Sequence, residues 1–363
     1  MKKQNNKNEE KENKAMTMQE NDHSEYAQWA QEKLVENFWN ESTKSVINNY
    51  PYSEDKEEGL NYWWKAHAVD AMIDGYERTK DEIYAERAES IINNIISRNG
   101  SLYNEFYDDM EWLALACLRL YDDTGNEKMK EYSINLWNDI KTAWWTDEIG
   151  GLAWKKDEGR KSRNSCSNGP GSILAARLYQ RFGDESNLEW AIKIYEFEKK
   201  YLVDKETGMV YDGMEVKVDG TLNINKKWLF TYNAGTYIGA AVELYRITED
   251  DKYLAEAEKT AKSSMEQLTT IYGVTKNEGN GDGGMFKGIL IRYLEQLYEV
   301  NKDKSISDYI LANAKILECS GVAPDIGLIG PDWNKIPQAP LDVTFQLSGV
   351  FLLEAAAKVA IED

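Results

Sequence analysis

An apolar helical segment recurs six times along this chain, and that recurrence restricts the fold more than any other feature. The segments begin near Tyr62 (YWWKAHAVDAMIDGY), Asp108 (DDMEWLALACLRLY), Asn168 (NGPGSILAARLY), Asn233 (NAGTYIGAAVELY), Met285 (MFKGILIRYLEQLY) and Asp342 (DVTFQLSGVFLLEAAAKV). Each follows a polar or glycine-bearing loop. Their starts lie 46, 60, 65, 52 and 57 residues apart, room for a second helix and two loops. A more polar amphipathic stretch accompanies each of them, at 25–47, 80–97, 127–145, 186–202, 250–271 and 304–319.

In the segment after Asp109, the positions Met110, Leu113, Ala114, Cys117, Leu118 and Tyr121 follow the spacing of one buried helical face. Leu115, Ala116 and Leu120 make the opposite face apolar too. Such a helix needs cover all round, whereas its polar partner tolerates water. Six inner helices ringed by six outer ones satisfy both demands. The expected fold class is therefore all-α: an alpha/alpha six-hairpin toroid forming one domain over residues 25–363, after a disordered polar tail at 1–24. An open α-solenoid shares the local pattern, but six pairs with Gly-rich loops favour closure. Some strand is expected around Gly208 to Val218, where Val210, Tyr211, Val216 and Val218 flank an Asp-Gly turn.

The net charge of -20 repels phosphate backbones and anionic headgroups, so neither nucleic acid nor membrane is expected as a partner. A neutral carbohydrate fits better. Cys117, Cys166 and Cys319 are too scattered for a disulfide framework and read as free thiols, the first and last buried on helices. With His23 and His67 the only histidines, no metal site and no cofactor is expected, and carboxylates must move the protons. His67 reads as a hydrogen-bonded core residue. The first two dozen residues contain no apolar h-region, which predicts a cytoplasmic protein. The apolar run from Val350 to Ile361 is broken by Glu354 and Lys358, so no bilayer-spanning segment is expected.

In a closed ring the N-termini of the inner helices converge on one mouth, where free N–H groups and helix dipoles favour a site. The residues expected there include Trp63, Trp64, Asp108, Asp109, Asn168, Tyr232, Asn233, Asp282 and Asp342. Asp108 and Asp109 are the sharpest pair. Retaining glycosidases hold two carboxyl groups close together, one as nucleophile and one as acid/base. Neighbouring charges at a helix start would drive the two proton affinities apart. The plainer account makes one of them an N-cap. Asp122–Asp123 fits a structural role, since it ends a helix in an Asp-Asp-Thr-Gly turn. Of the tryptophans, Trp63, Trp64 and Trp154 are assigned to sugar contact by their place near the mouth.

The string YDDMEWLALA at 107–116 resembles the catalytic motif of glycoside hydrolase family 76, the endo-α-1,6-mannanases. YWWKAHAVDAMIDGYERT, GGLAWK, RNSCSNGPGSILAARLY, FTYNAGTYIGAAVELY and GDGGMFKGILIRYL follow in the family's order, so the resemblance runs from about Glu25 to the C-terminus. It implies a six-hairpin barrel and cofactor-free hydrolysis of α-1,6-mannosidic bonds, with Asp108 as nucleophile and Asp109 as acid/base. Ala234 and Met285 stand where the family often carries glutamine, which would remove amides from cleft-facing loops. A transglycosidase and a catalytically silent carbohydrate-binding protein are the alternative functions that keep this cleft.

Overall fold

The computed structural model describes residues 23–156, 162–217 and 219–362. The inner helices are α3 (Tyr62–Thr79), α5 (Tyr107–Thr124), α7 (Ser165–Phe182), α9 (Thr231–Thr248), α11 (Gly283–Asn301) and α13 (Val343–Glu362). The outer ones are α1 (23–38), α4 (Glu82–Asn99), α6 (Glu127–Ile140), α8 (Glu185–Tyr201), α10 (Asp251–Gln267) and α12 (Lys304–Ser320). A one-turn helix, α2 (Glu54–Glu57), sits in the first long loop. Each inner helix packs on the next, and α13 returns to α3, so the ring closes as a toroid and the open solenoid is excluded. One apolar core runs through it from Ala27 to Val359.

Five of the hairpin corners share one chemistry. Lys80, Gly125, Gly183, Glu249 and Lys302 take left-handed φ at the ends of inner helices, and their N–H groups bond back to the carbonyls of Tyr76, Tyr121, Tyr179, Tyr245 and Tyr298. The next residue, Asp81, Asn126, Asp184, Asp250 or Asp303, caps the following outer helix with its side chain. A tyrosine five positions before Asp or Asn thus writes the corner: the C-terminal carbonyls are satisfied, the chain reverses, and the new N-terminus is capped within a few residues. The inner helices then approach closely. A Cβ on Gly235 of α9 would lie 2.9 Å from Leu290 Cα on α11, a distance at which only glycine fits.

Several expectations need correction. The first outer helix ends at residue 38 rather than near 47, and an antiparallel ribbon of β1 (Trp39–Asn40) and β2 (Ser45–Val46) follows. The expected disordered tail at 1–24 lies outside the described residues as far as 22, while 23 and 24 are already helical. β3 (Asn49–Tyr50) pairs with the late β7 (Leu341–Asp342), and β4 (Ser162–Asn164), β5 (Gly213–Val216) and β6 (Leu222–Ile224) form a small antiparallel sheet. Its hairpin turns at Asp219–Gly220, where Gly220 has φ +80°, and not at Asp212–Gly213, which opens β5; Val218 lies outside the described residues. Cys319 is exposed, because it falls on the outward face of α12. The stretch Val343–Ile361 does pass the length and composition test for a membrane span, but 83% of its apolar window is buried inside the ring.

Candidate active site

First-turn residues of five inner helices meet around one cleft of about 870 Å³: Tyr62 and Trp63 from α3, Asp108 and Asp109 from α5, Cys166 from α7, Tyr232 from α9 and Phe286 from α11. The mouth expected from the repeat is therefore the end where the cleft forms. Trp112 and Trp154 line it as well, as do Asp212 and Trp228 from the segment between α8 and α9.

Asp108 and Asp109 sit side by side in the first turn of α5 with different surroundings. Burial pushes Asp108 up to about 7, against donors that favour its charged form: the Cys166 thiol, the Trp154 indole and the backbone N–H groups of Asp108 and Asp109. The Trp154 Nε1 donor lies 3.3 Å from Asp108 Oδ2. Among the described residues no such donor reaches Asp109. Burial, then the charges of Asp108, Asp282 and Glu105, hold its carboxyl well above the ordinary range. Both carboxyls are thus held above the ordinary range, and the donors at Asp108 favour its charged form over that of Asp109. Asp109 is no N-cap, and neither is Asp108, since both lie inside the helix that Phe106 begins.

An aromatic wall crosses the cleft, and a carboxylate fastens each end. Trp63 stacks on Phe286 at 6.2 Å and 29°, and Phe286 stacks on Tyr232 at 4.0 Å and 13°. At one end Asp282 Oδ1 accepts from Trp63 Nε1 at 3.1 Å and from Trp64 Nε1 at 2.7 Å. At the other, Asp212 Oδ1 accepts from Tyr232 Oη at 3.3 Å and from Asn233 Nδ2 at 3.1 Å, while Asn164 Nδ2 reaches Asp212 Oδ2 at 3.4 Å. Rings locked this way present apolar faces to a pyranose at little entropic cost.

Of the residues read from sequence, the structure brings Trp63, Trp154, Asp108, Asp109, Tyr232 and Asp282 to the cleft surface. Trp64 stands behind it as a partner of Asp282. Asn233 is buried and spends its amide on Asp212, so it acts through that carboxylate. Asn168 is buried a turn inside α7, where its amide bonds Leu152 N at 2.9 Å and Asn164 O at 2.8 Å; it fastens a loop and lines no cleft. Ala234 and Met285 are buried on α9 and α11 and are not among the residues that line the cleft, where a site at cleft-facing loops was expected. Asp342 accepts from Gly281 N at 2.9 Å and braces the loop that carries Asp282. His67 is buried with its Nδ1 3.7 Å from Asp70 Oδ2, a contact beyond hydrogen-bond length, and its ring lies against Trp63 and Trp112.

Among the cleft residues that escaped the sequence reading are Asp212, Cys166, Trp228 and Phe286. Trp228 is 56% exposed, and the signal available in the sequence was an indole directly after the polar run Asn225, Lys226 and Lys227. Cys166 carried none, since a small thiol in a helix start reads as packing. Among the described residues no group of His, Cys, Asp and Glu is arranged to hold a metal ion.

The family model for glycosyl hydrolase family 76 matches residues 22–350. The chain belongs to that family. As a family 76 member it is a glycoside hydrolase. The α-1,6-mannanase GH76A of Salegentibacter sp. HEL1_6 is similar to it at 44% identity over 93% of this chain and 99% of that one, with a TM-score of 0.88. An inactive variant of that mannanase, with two adjacent aspartates replaced by alanine, has been solved in complex with α-1,6-mannotetrose, and superposes over 93% of this chain and 99% of that one at 43% identity and a TM-score of 0.87. A putative mannan endo-1,6-α-mannosidase of Schizosaccharomyces pombe is 25% identical over 302 residues, 75% of this chain and 68% of its own length. The mannan endo-1,6-α-mannosidase of Candida albicans is 27% identical over 221 residues, 55% of this chain and 48% of its own length, so the match spans about half of that relative.

Proposed function

We propose that this hydrolase cleaves α-1,6-mannosidic linkages in mannan or mannooligosaccharides with retention of configuration, through a covalent glycosyl ester on Asp108. The observation that carries the reading is a pair of adjacent carboxyls, Asp108 and Asp109, at the start of one helix in an aromatic cleft, with the Trp154 indole donating to Asp108. In the first step the Asp109 carboxyl gives its proton to the glycosidic oxygen as the C1–O bond breaks, and an Asp108 oxygen forms the new bond to C1. In the second, the Asp109 carboxylate takes a proton from water, the water oxygen attacks C1, and Asp108 leaves as the carboxylate. Each residue ends as it began. The aromatic wall supplies sugar stacking, and Asp212 and Asp282 supply acceptors at its ends.

The substrate assignment is supported by the mannanase relative: its inactive form lacks two adjacent aspartates and binds an α-1,6-linked tetrasaccharide. Among the adjacent aspartate pairs of this chain, Asp108–Asp109 lines the cleft, whereas Asp122–Asp123 lies at the far end of α5 with Asp122 paired to Arg181, and Asp250–Asp251 caps and opens the outer helix α10. The test is turnover of linear α-1,6-mannooligosaccharides by wild type, Asp108→Asn and Asp109→Asn, with the first-formed anomer followed by NMR. Release of α product by wild type, lost in both variants, is expected. β product, or turnover unaffected by either substitution, would refute the assignment.

A further inference from the structure

Asp282 does more in this cleft than hold two rings. It precedes α11, and its Oδ1 is drawn into hydrogen bonds by two consecutive tryptophans, Trp63 at 3.1 Å and Trp64 at 2.7 Å. Those two contacts leave the side chain little rotational freedom. Among the described residues no lysine or arginine forms an ion pair with it, in contrast to the nearby Asp342, whose Oδ1 lies 3.7 Å from Lys56 Nζ. Two neutral indole donors fix a carboxylate's position and leave its charge in place. That fixed charge shares the cleft with Asp109.

We propose that Asp282 is a positioning residue for the acid/base step: a carboxylate pinned by Trp63 and Trp64 whose unneutralised charge keeps the proton on Asp109 until the glycosidic oxygen takes it. The proposal rests on Asp109 being the acid/base. Of the titratable groups that line the cleft with Asp109, Asp108 on its own helix, Glu105 in the loop before it and Asp282 from the start of α11 act on its charge, which in turn acts on the Tyr62 hydroxyl from α3; Asp212, Cys166, Tyr103 and Tyr232 line the cleft as well. Burial favours the neutral form of Asp109, and the three carboxylates add to it in the order Asp108, Asp282, Glu105. Once Asp108 becomes an ester its charge is gone. Asp282 is then the strongest carboxylate still acting on Asp109, so it also sets how readily Asp109 serves as base in the second step. One residue thereby ties the aromatic wall that seats the sugar to the proton that cleaves it.

Asp282→Asn separates charge from geometry, because the amide oxygen can still accept from both indoles while the charge is lost. A neighbouring charge is worth about one unit or more of pKa at close range, so the alkaline limb of kcat/KM is expected to fall by about 0.5–1 pH unit. The near-ultraviolet circular dichroism of the tryptophans should persist. Asp282→Leu should in addition raise KM and alter that spectrum, since the platform loses its acceptor. Glu105→Gln, at the exposed rim, should shift the alkaline limb less than Asp282→Asn.

A direct titration of the Asp109 carboxyl by ¹³C NMR, in wild type and Asp282→Asn, reads the same quantity without substrate. A lower midpoint in the variant shows that the Asp282 charge holds the Asp109 proton, even if mannooligosaccharides are not turned over. An unchanged midpoint overturns it, even if both catalytic aspartates prove essential. The failure of the proposed reaction and the failure of this role are therefore separable.

Discussion

Replacing Trp154 by phenylalanine should move the acidic limb of the pH–rate profile upward. The indole Nε1 is a donor to the charged form of Asp108, at 3.3 Å to Oδ2, and phenylalanine removes it while keeping a ring against Phe106, whose centroid lies 5.0 Å away. Hydrogen bonds to charged acceptors contribute about 1.5–3 kcal/mol. This one is longer than the usual 2.9–3.0 Å, so about 0.7–1.4 kcal/mol is the reasonable range. At 1.36 kcal/mol per unit, that raises the Asp108 midpoint by about 0.5–1 unit from about 7. The sign follows because losing a donor disfavours the ionised form of Asp108. At pH 6 the variant should therefore show kcat/KM about 3- to 10-fold below wild type, with the two converging above pH 9. Initial rates on α-1,6-mannotetraose across pH 5–9.5 would measure this. A loss of equal size at every pH would mean that Trp154 only binds sugar; a limb displaced downward would refute the electrostatic reasoning altogether.

Two further predictions concern stability. Gly235→Ala should cost about 1–3 kcal/mol in urea denaturation, because the added Cβ would meet Leu290 Cα at 2.9 Å and Ile289 O at 3.1 Å, and helix backbone cannot step aside as a side chain can; a loss below about 0.5 kcal/mol would show that α9 and α11 part more easily than the packing implies. Glu198 is buried on α8 and its carboxyl is pushed up to about 8. A raised carboxyl pKa means the folded state holds the proton more tightly, so its contribution is complete below the unfolded value near 4.3 and is lost as pH rises through about 8. Glu198→Gln should accordingly flatten the decline of Tm between pH 5 and 9; an unaltered slope would show that Glu198 does not carry that proton.

The ring was legible in the sequence because its inner helices are apolar nearly all round, a pattern few other folds allow. The helix starts expected at Tyr62, Asp108, Asn233, Met285 and Asp342 lie within two residues of those observed, and the Asn168 segment starts three residues earlier, at Ser165. That small offset explains the main error at the site. A polar residue taken as the first of its helix would face the mouth, but Asn168 is a turn deep and points at Leu152. Asp108 and Asp109 were legible because the pair falls at the start of an inner helix. Asp212 was not. It belongs to no repeat, and its place in the cleft depends on three donors from α9 and β4 that only the folded chain assembles. Phe286 was hidden for the opposite reason: it lies among the apolar residues of α11, and nothing in the pattern marks it as the ring between Trp63 and Tyr232.

The two ends of the toroid solve opposite electrostatic problems. Parallel inner helices place their positive N-terminal ends at the cleft and their negative C-terminal ends at the far mouth. At the far mouth, arginines answer the negative end and are themselves paired with carboxylates: Arg119 bonds Asp70, Asp74 and Glu77 at 2.6–2.9 Å, Arg292 bonds Asp74 at 2.6 Å, and Arg177 bonds Glu243 at 2.7 Å. At the cleft, helix ends alone would favour ionised carboxylates, yet Asp108 and Asp109 both move the other way. The magnitudes explain it. A helix terminus contributes about 0.3–1 kcal/mol at an exposed site, whereas full burial can shift a carboxyl by about 3–5 units, or roughly 4–7 kcal/mol. Burial in the cleft wall desolvates both acids, and desolvation wins. What then separates two adjacent aspartates is the set of donors each can reach, and Trp154 and Cys166 both serve Asp108.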